Sequence, residues 1–253
     1  MISTLDSPFI VFAVSLVAQW LAAYCGDLFR RRVHRLNKDE HADFETIQTA
    51  TLTLLALIIG FTFSMAVTRY DQRKNYEEAE ANAIGTEYVR ADLLPAEDGA
   101  SVHGLLRDYL AQRIAYYLTN DQRQIGELDA DTTKLHAELW SAVSRTAQSQ
   151  PTPVVALTVS GMNDVLNSQS YTQAAWWNRI PVAAWGMMGL IAISCNMLLG
   201  YGERRRGLPL LLILPIVVSI SFFLIADIDS PRGGVIRVLP HNLIALSQSM
   251  KAP

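Results

Sequence analysis

The residues that most often perform catalysis or bind metals are few in this sequence, and their spacing does not suit either task. Five histidines are present: His34, His41, His103, His136 and His241. None of them belongs to an HExxH motif or to an HxE motif followed by CxxC, the patterns that hold catalytic zinc. A glycine-rich phosphate loop and a GxSxG motif are also lacking. We therefore expect a protein that is not an enzyme and that carries no cofactor.

An acidic segment ahead of the second apolar block is the best candidate for a cation site. It contains Asp39, Glu40, His41, Asp43 and Glu45. Hard cations prefer such oxygen ligands, but the spacing is loose, and acidic residues at a helix start are also stabilised by the helix dipole. We favour a solvated helix start, and the sequence predicts no metal site.

The composition indicates a membrane protein. Half of the 253 residues are hydrophobic, only 18% are charged, and the mean hydropathy is +0.17, which is too apolar for an ordinary soluble domain. The apolar residues form four blocks, each close to the ~20 residues that cross a bilayer: Pro8–Leu28, Ile47–Val67, Ala175–Tyr201 and Leu208–Ile228. A net charge of −3 gives no basic surface for nucleic acid. The expected partner of this chain is the lipid bilayer.

The polar stretch between the second and third blocks has a helical pattern. Residues 69–94 contain no proline, which predicts that the second span continues as one long helix ended by Pro95. Three more helices are expected, the first capped by Ser101, the second starting at Asp131 and the third following Pro153. The predicted fold is all-α, with four transmembrane helices and a helical extramembrane domain inserted between the second and third spans. Its segments are a first hairpin (1–67), the helical domain (68–174), a second hairpin (175–228) and a C-terminal tail (229–253).

Basic residues near the spans predict the orientation. Lys and Arg in short loops resist translocation, and eight of them lie in the loops 29–46 and 202–207, against six on the opposite side. Both basic loops are therefore expected in the cytoplasm. The two termini and the helical domain are then extracytoplasmic.

Small and hydroxylated residues line one face of the second span. Thr46, Thr49, Thr53, Gly60, Ser64 and Thr68 follow one another at separations of three, four, seven, four and four. Such a face forms either a close seam with another helix or the wall of a water-filled pore in a symmetric oligomer. Hydroxyls that bind carbonyls of their own helix favour the seam. The aromatic rings beside this face are either packing residues or a constriction that gates by dewetting. The candidate pore-lining residues are Thr49, Thr53, Gly60, Phe61, Phe63 and Ser64.

Charged residues lie at the ends of the spans. Asp227 and Asp229 close the fourth span, and Arg69 follows the second. Because an ionisable group is costly in hydrocarbon, it needs a partner or water. Either the two carboxylates end their helix in water, or they meet Arg69 or Arg179 at the mouth of an ion pathway; Arg179 alternatively snorkels to the interface. Arg69, Asp227 and Asp229 are the candidate pore-mouth charges.

Two segments carry a family resemblance: GFTFSMAVTRYDQRKNYEEAEANAIGTEYVRADLLP, residues 60–95, and FLIADIDSPRGGVIRV, residues 223–238. They resemble the bacterial bestrophin-like family, and the match covers nearly the whole chain. The resemblance implies a multi-pass protein of the bacterial inner membrane, by analogy to bestrophins, which are pentameric anion channels with four spans and a helical soluble portion between the second and third. Bestrophins keep that portion and both termini in the cytosol, so the resemblance implies the orientation opposite to the charge count.

Two functions follow from these observations. The first is a homo-oligomeric channel for inorganic ions, anions by analogy, whose second span lines the pore. The second is a non-conducting membrane scaffold or sensor whose helical domain binds a partner. A pore predicts that the hydroxyl face meets a wetted symmetry axis, whereas a scaffold predicts that this face is buried dry against a neighbouring span.

Overall fold

The computed structural model describes residues 7–32, 38–202 and 208–251. Eight α-helices occupy these ranges: α1 (Pro8–Arg32), α2 (Lys38–Arg90), α3 (Ala96–Leu118), α4 (Gln122–Ser149), α5 (Pro153–Trp177), α6 (Val182–Gly202), α7 (Leu208–Asp229) and α8 (His241–Ser249). A 3₁₀ turn, Ala91–Leu93, follows α2. The described ranges contain no β-strand, so the expected all-α class is confirmed.

Contacts divide the chain into two compact units. One, called here the span unit, comprises the residues up to Tyr70 together with Arg179–Arg237. The other, called the helical unit, comprises Asp71–Asn178 and the chain from Val238 onward. Helix α2 contributes its first part to the span unit and its last part to the helical unit.

Four helices of the described chain are long and apolar enough to cross a membrane, as predicted. They are α1, the first part of α2, α6 and α7. The block predicted as the third span, from Ala175 to Tyr201, is not one continuous helix, because the helix is interrupted between Trp177 and Val182. Pro181 explains the interruption: it donates no backbone hydrogen bond and disfavours helical backbone in the residue before it.

Within the span unit, α1 packs against α6 through two glycines. A β-carbon on Gly26 would overlap the backbone oxygen of Met197, and one on Gly200 would overlap the backbone oxygen of Ala23. Each glycine therefore lies directly on the main chain of the other helix. Small residues permit this close approach, which supplies the van der Waals contact that holds helices together in lipid.

A polar network joins three spans inside this unit. The Gln19 amide on α1 donates to the Ser219 hydroxyl on α7 at 3.2 Å, and it accepts from the Asn196 amide on α6 at 3.0 Å. All three side chains are buried. Because polar atoms in hydrocarbon must find partners, this network fixes the register of α1, α6 and α7.

The helices of the helical unit begin earlier than their sequence signals predict. Helix α3 starts at Ala96, so Ser101 lies inside it and is not its cap. Helix α4 starts at Gln122 and not at Asp131, since Asp121 is the cap and accepts a hydrogen bond from the backbone N–H of Arg123 at 2.9 Å. The predicted end of the long helix before Pro95 and the predicted start of α5 at Pro153 are confirmed.

The buried face of α2 in the helical unit is largely charged. The residues of α2 that are buried there are Arg73, Glu77, Glu80, Ala81, Ile84 and Glu87. Apart from Ala81, they follow one another at separations of four, three, four and three, which describes a single helical face. A helix that buries three carboxylates must supply donors from its neighbours, and two of the three receive them.

Glu77 binds the C-terminal helix α8. Its carboxylate accepts hydrogen bonds from the backbone N–H groups of Asn242 and Leu243, at 2.9 and 3.1 Å, and from the Asn242 side-chain amide at 2.6 Å. A carboxylate at this position satisfies the free donors of the first turn of α8 and complements its dipole. Thus α8, which lies in the segment predicted to be a tail, packs in the helical unit with Leu246 against Gly85.

Candidate functional site

The small and hydroxylated face of the second span is exposed on the surface of the chain. Helix α2 buries the opposite side, with Leu55, Thr62 and Ala66 in the core of the span unit. Thr49, Thr53, Gly60 and Ser64 are all exposed, and a β-carbon on Gly60 would meet no atom within 4 Å. No described span of the same chain covers this face. Whatever contacts it in the membrane is a second copy, lipid or water.

The hydroxyl groups on this face bind their own helix. The Thr53 hydroxyl donates to the carbonyl of Thr49, and the Thr68 hydroxyl donates to the carbonyl of Ser64, both at 2.9 Å. A threonine bonded in this way still presents its hydroxyl oxygen as an acceptor, and the hydroxyl can rotate away to bind a passing ligand. The face is therefore polar without a fixed charge.

Two phenylalanines lie beside these residues and are exposed to different degrees. Phe61 is 63% exposed and Phe63 is 38% exposed. Exposure of an aromatic ring to water is unfavourable. Both rings are therefore expected to contact lipid or another helix.

The two carboxylates at the end of α7 are buried and hold the chain around them. Asp227 accepts from the backbone N–H groups of Val235 at 2.6 Å and Ile236 at 2.9 Å, which closes the turn after the helix. Asp229 accepts from the Arg179 guanidinium and from the backbone N–H of Ile180, both at 3.2 Å. The structure therefore brings Asp229 together with Arg179, one of the two arginines predicted for it. Asp229 also positions the link before α6.

The remaining predicted features are placed as follows. Arg69 lies at the last turn of α2 within the span unit and is half-buried. The side chains of Asp39, Glu40 and His41, and the basic residues Arg35 and 204–206, lie outside the described residues. In the part of the chain that is described, no group of three or more His, Cys, Asp and Glu side chains could hold a metal ion.

The sequence reasoning missed a buried ion pair in the helical unit. Arg113 on α3 forms hydrogen bonds to Glu80 on α2 through its Nε and, at 3.4 Å, through Nη2. The Tyr117 hydroxyl and the Thr172 hydroxyl also donate to Glu80, at 3.3 and 3.1 Å. Glu80 and Arg113 are fully buried. The charged residues that are buried on α2 follow one another at separations of three, four or seven, which indicates a charged helical face. A search for apolar residues at this spacing does not detect such a face.

Glu87 lies on the same face of α2 and has no such partner. Its two carboxylate oxygens are buried without a hydrogen bond to any described residue. It packs against Gly161 of α5 so closely that a β-carbon there would overlap the carboxylate. Burial raises the pKa of Glu87 to about 8; the nearby Arg90 lowers it, and Asp164 raises it further. The carboxyl is therefore largely protonated at neutral pH.

Replacement of Glu87 by Gln is expected to remove a pH dependence of stability. The ordinary pKa of this carboxyl is 4.5, so between pH 4.5 and 8 the folded protein keeps a proton that the unfolded chain has lost. Its stability is highest below pH 4.5 and falls as the pH rises through 8. Glu87→Gln should match the wild-type Tm near pH 4.5 and exceed it by several degrees at pH 9. The control is Glu78→Gln, an exposed site on α2; parallel wild-type and Glu87→Gln profiles would contradict the assignment.

Comparisons with known proteins agree with this architecture. A crystal structure of a bacterial bestrophin homologue from Klebsiella pneumoniae with one tryptophan replaced by alanine gives a TM-score of 0.67 at 12% identity, covering 94% of this chain and 93% of that one. A structure of the Klebsiella homologue phased on zinc gives 0.64 at 14% identity, with 96% and 95% covered. No curated protein sequence matches this chain. The model of the bestrophin-like domain matches residues 10–243, so this multi-pass membrane protein belongs to the bestrophin-like family.

Proposed function

We propose that the protein is a homo-oligomeric ion channel of the bacterial inner membrane whose pore is lined by α2. The observation that carries the proposal is the exposure of Thr49, Thr53, Gly60 and Ser64 on a span whose opposite side is packed into the span unit. A face that is polar, small and uncovered in one chain suits a symmetry axis. Family membership supports the same function, and by analogy the oligomer is a pentamer.

Conduction along this face relies on weak, repeated contacts. Threonine and serine oxygens replace part of an ion's water shell, whereas the rings of Phe61 and Phe63 offer no such replacement. The rings therefore set the narrow, dewetting part of the path. Selection between anions and cations depends on the charged residues at the ends of the pore, where Arg69 favours anions. Asp227 and Asp229 oppose that preference if they share the opening, although their oxygens already bind the backbone or Arg179.

Cysteine substitutions at two threonines of α2 test whether this helix lines the pore. In a background without native cysteines, Thr53→Cys on the exposed face should react with a small thiol reagent and block the current of the reconstituted protein. Thr62→Cys, which is 4% exposed on the opposite side of α2, should remain unreactive and conducting. Phe63→Ala should increase the current, because it widens the narrow part.

Failure of these experiments has a definite meaning. If the purified wild type is silent under varied voltage, calcium and pH, and Thr53→Cys does not react, then the scaffold function replaces the channel. An unchanged current in modified Thr53→Cys protein would remove α2 from the pore wall even if the protein conducts.

We also propose that α3, α4 and most of α5 form an extramembrane domain inserted between the second and third spans, and that it lies outside the cytoplasm. The short-loop cations support this side, and the analogy to bestrophins supports the other. In intact cells Gln122→Cys should react with an impermeant thiol reagent, while Arg32→Cys on the opposite side should not; both positions are exposed. The reverse labelling pattern would place the domain in the cytoplasm.

A further inference from the structure

In the helical unit, helix α2 exposes a polar stripe on the side opposite to its buried charged face. The exposed residues of this stripe are Asp71, Asn75, Glu78, Asn82 and Thr86. They follow one another at separations of four, three, four and four, which place them on one side of the helix. Two of these side chains are carboxylates and none is a cation. The stripe is therefore polar and negatively charged.

The stripe continues the hydroxyl face of the same helix. Helix α2 runs without interruption over Lys38–Arg90. After Ser64, the next exposed positions on this side are Thr68, four residues later, and Asp71, three residues after that. At about 100° of rotation per residue, Asp71 and Glu78 lie within about 40° of Ser64 around the helix axis. One side of α2 thus carries first the hydroxyls of the span and then both carboxylates.

The cations closest to these carboxylates along α2 lie elsewhere around the helix. Arg69 is half-buried and about 160° away from Asp71, since two residues turn the helix by about 200°. Arg73 is buried. Lys74 is exposed, but at about 60° from Asp71 it lies at the edge of the stripe. Two exposed carboxylates therefore face one flanking cation, and the stripe keeps a net negative charge.

We propose that Asp71 and Glu78 make the pore selective for small monovalent cations over anions, an inference that rests on the proposed channel with α2 at its axis. In a symmetric oligomer each copy contributes the same two carboxylates around that axis, so their charges add. Rings of Asp and Glu attract cations, and a cleft lined by one sign of charge raises the local concentration of counter-ions about tenfold or more. The preference of Arg69 for anions is outweighed because its side chain lies almost on the opposite side of α2.

The exposure of both carboxylates has a measurable consequence. Salt screens the field of exposed charges over about 10 Å at 0.1 M and over about 3 Å at 1 M. Ions that pass along the axis therefore experience the carboxylates at low salt and hardly at all at high salt. The preference for cations should decline as the salt concentration rises, whereas a preference set by a narrow, dehydrated part of the pore would persist.

The reversal potential of the full-length protein in planar bilayers tests the proposal. Under a potassium chloride gradient at about 0.1 M, the wild type should conduct K⁺ in preference to Cl⁻. Asp71→Asn combined with Glu78→Gln should lower the ratio of the K⁺ permeability to the Cl⁻ permeability about tenfold, because it removes both charges. At about 1 M the two proteins should have similar ratios. Both positions are exposed, so the double variant should keep the wild-type Tm.

Two single variants establish the sign and the position of the effect. Lys74→Gln removes the flanking cation and should raise the permeability ratio. Asp108→Asn removes an exposed carboxylate from α3 and should leave the ratio unchanged.

The possible failures are distinguishable. A wild type that prefers Cl⁻ at low salt would overturn the proposal, and so would a ratio that the double variant does not change. If the thiol reagent still blocks Thr53→Cys in that case, α2 lines a pore whose selectivity is set by other residues. Absence of current together with an unreactive Thr53→Cys would remove the channel, and this inference with it.

Discussion

Gly200→Ala is expected to lower the Tm of the detergent-solubilised protein by roughly 6–12 °C, the equivalent of about 3 kcal/mol for a chain of this length. The added methyl group would overlap the backbone oxygen of Ala23 on α1. A main-chain atom cannot move aside as a side chain can, so α1 and α6 must separate along their length. The same reasoning applies to Gly26→Ala, whose methyl group would overlap the backbone oxygen of Met197.

The matched control is Gly186→Ala on the same helix. A β-carbon there meets no atom within 4 Å, so this variant adds one methyl group to α6 without a collision. Since alanine favours the helix over glycine by about 1 kcal/mol, its Tm should equal or slightly exceed that of the wild type. Equal Tm values for Gly200→Ala and Gly186→Ala would show that α1 and α6 do not approach as closely as described.

Arg113→Leu should cost the helical unit about 3–5 kcal/mol, because it leaves the Glu80 carboxylate buried without its cation. The hydroxyls of Tyr117 and Thr172 still donate to Glu80, but they cannot balance its charge. The loss is measured as a shift in the denaturant midpoint of the full-length protein. An exposed pair on α4, Asp131 with Lys134 at 3.0 Å, provides the control, and Lys134→Ala should change stability little.

A double variant distinguishes loss of charge balance from loss of packing. Glu80→Leu combined with Arg113→Leu replaces both ions by apolar groups, which for buried pairs is often neutral or stabilising. The double variant should therefore be more stable than Arg113→Leu alone. A double variant that is less stable than either single change would mean that the hydrogen bonds of Tyr117 and Thr172, and not the ion pair, dominate this part of the core.

The sequence predicted the spans well because hydrocarbon imposes a simple rule on composition. Any helix in lipid must be apolar and about 20 residues long, and α1, α6 and α7 follow that rule. The interruption between α5 and α6 is hard to see in the sequence because Ala175, Trp176 and Trp177 are as apolar as the helix that follows. Trp176 packs against Tyr116 and Tyr117 in the helical unit.

The part of α2 in the helical unit was harder to predict because its buried face does not follow hydrophobicity. Four of its buried positions carry Arg73, Glu77, Glu80 and Glu87, while Val89 is 67% exposed. Burial of Glu77 and Glu80 depends on donors from α3, α5 and α8, which are distant in sequence. A single sequence does not reveal such pairings. The hydroxyl face of α2, in contrast, is visible in the sequence because its residues share one helix.

The polar network among the spans also has a consequence for synthesis. Gln19 and its partner Asn196 are 177 residues apart. At roughly 5–20 residues added per second, about 9–35 s pass between their emergence from the ribosome. During that interval the Gln19 side chain on α1 lacks Asn196 and Ser219, the two partners of its amide in the folded protein. An amide without hydrogen-bond partners is unfavourable in hydrocarbon. The first span must therefore be sheltered by the insertion machinery, or remain near water, until α6 and α7 arrive.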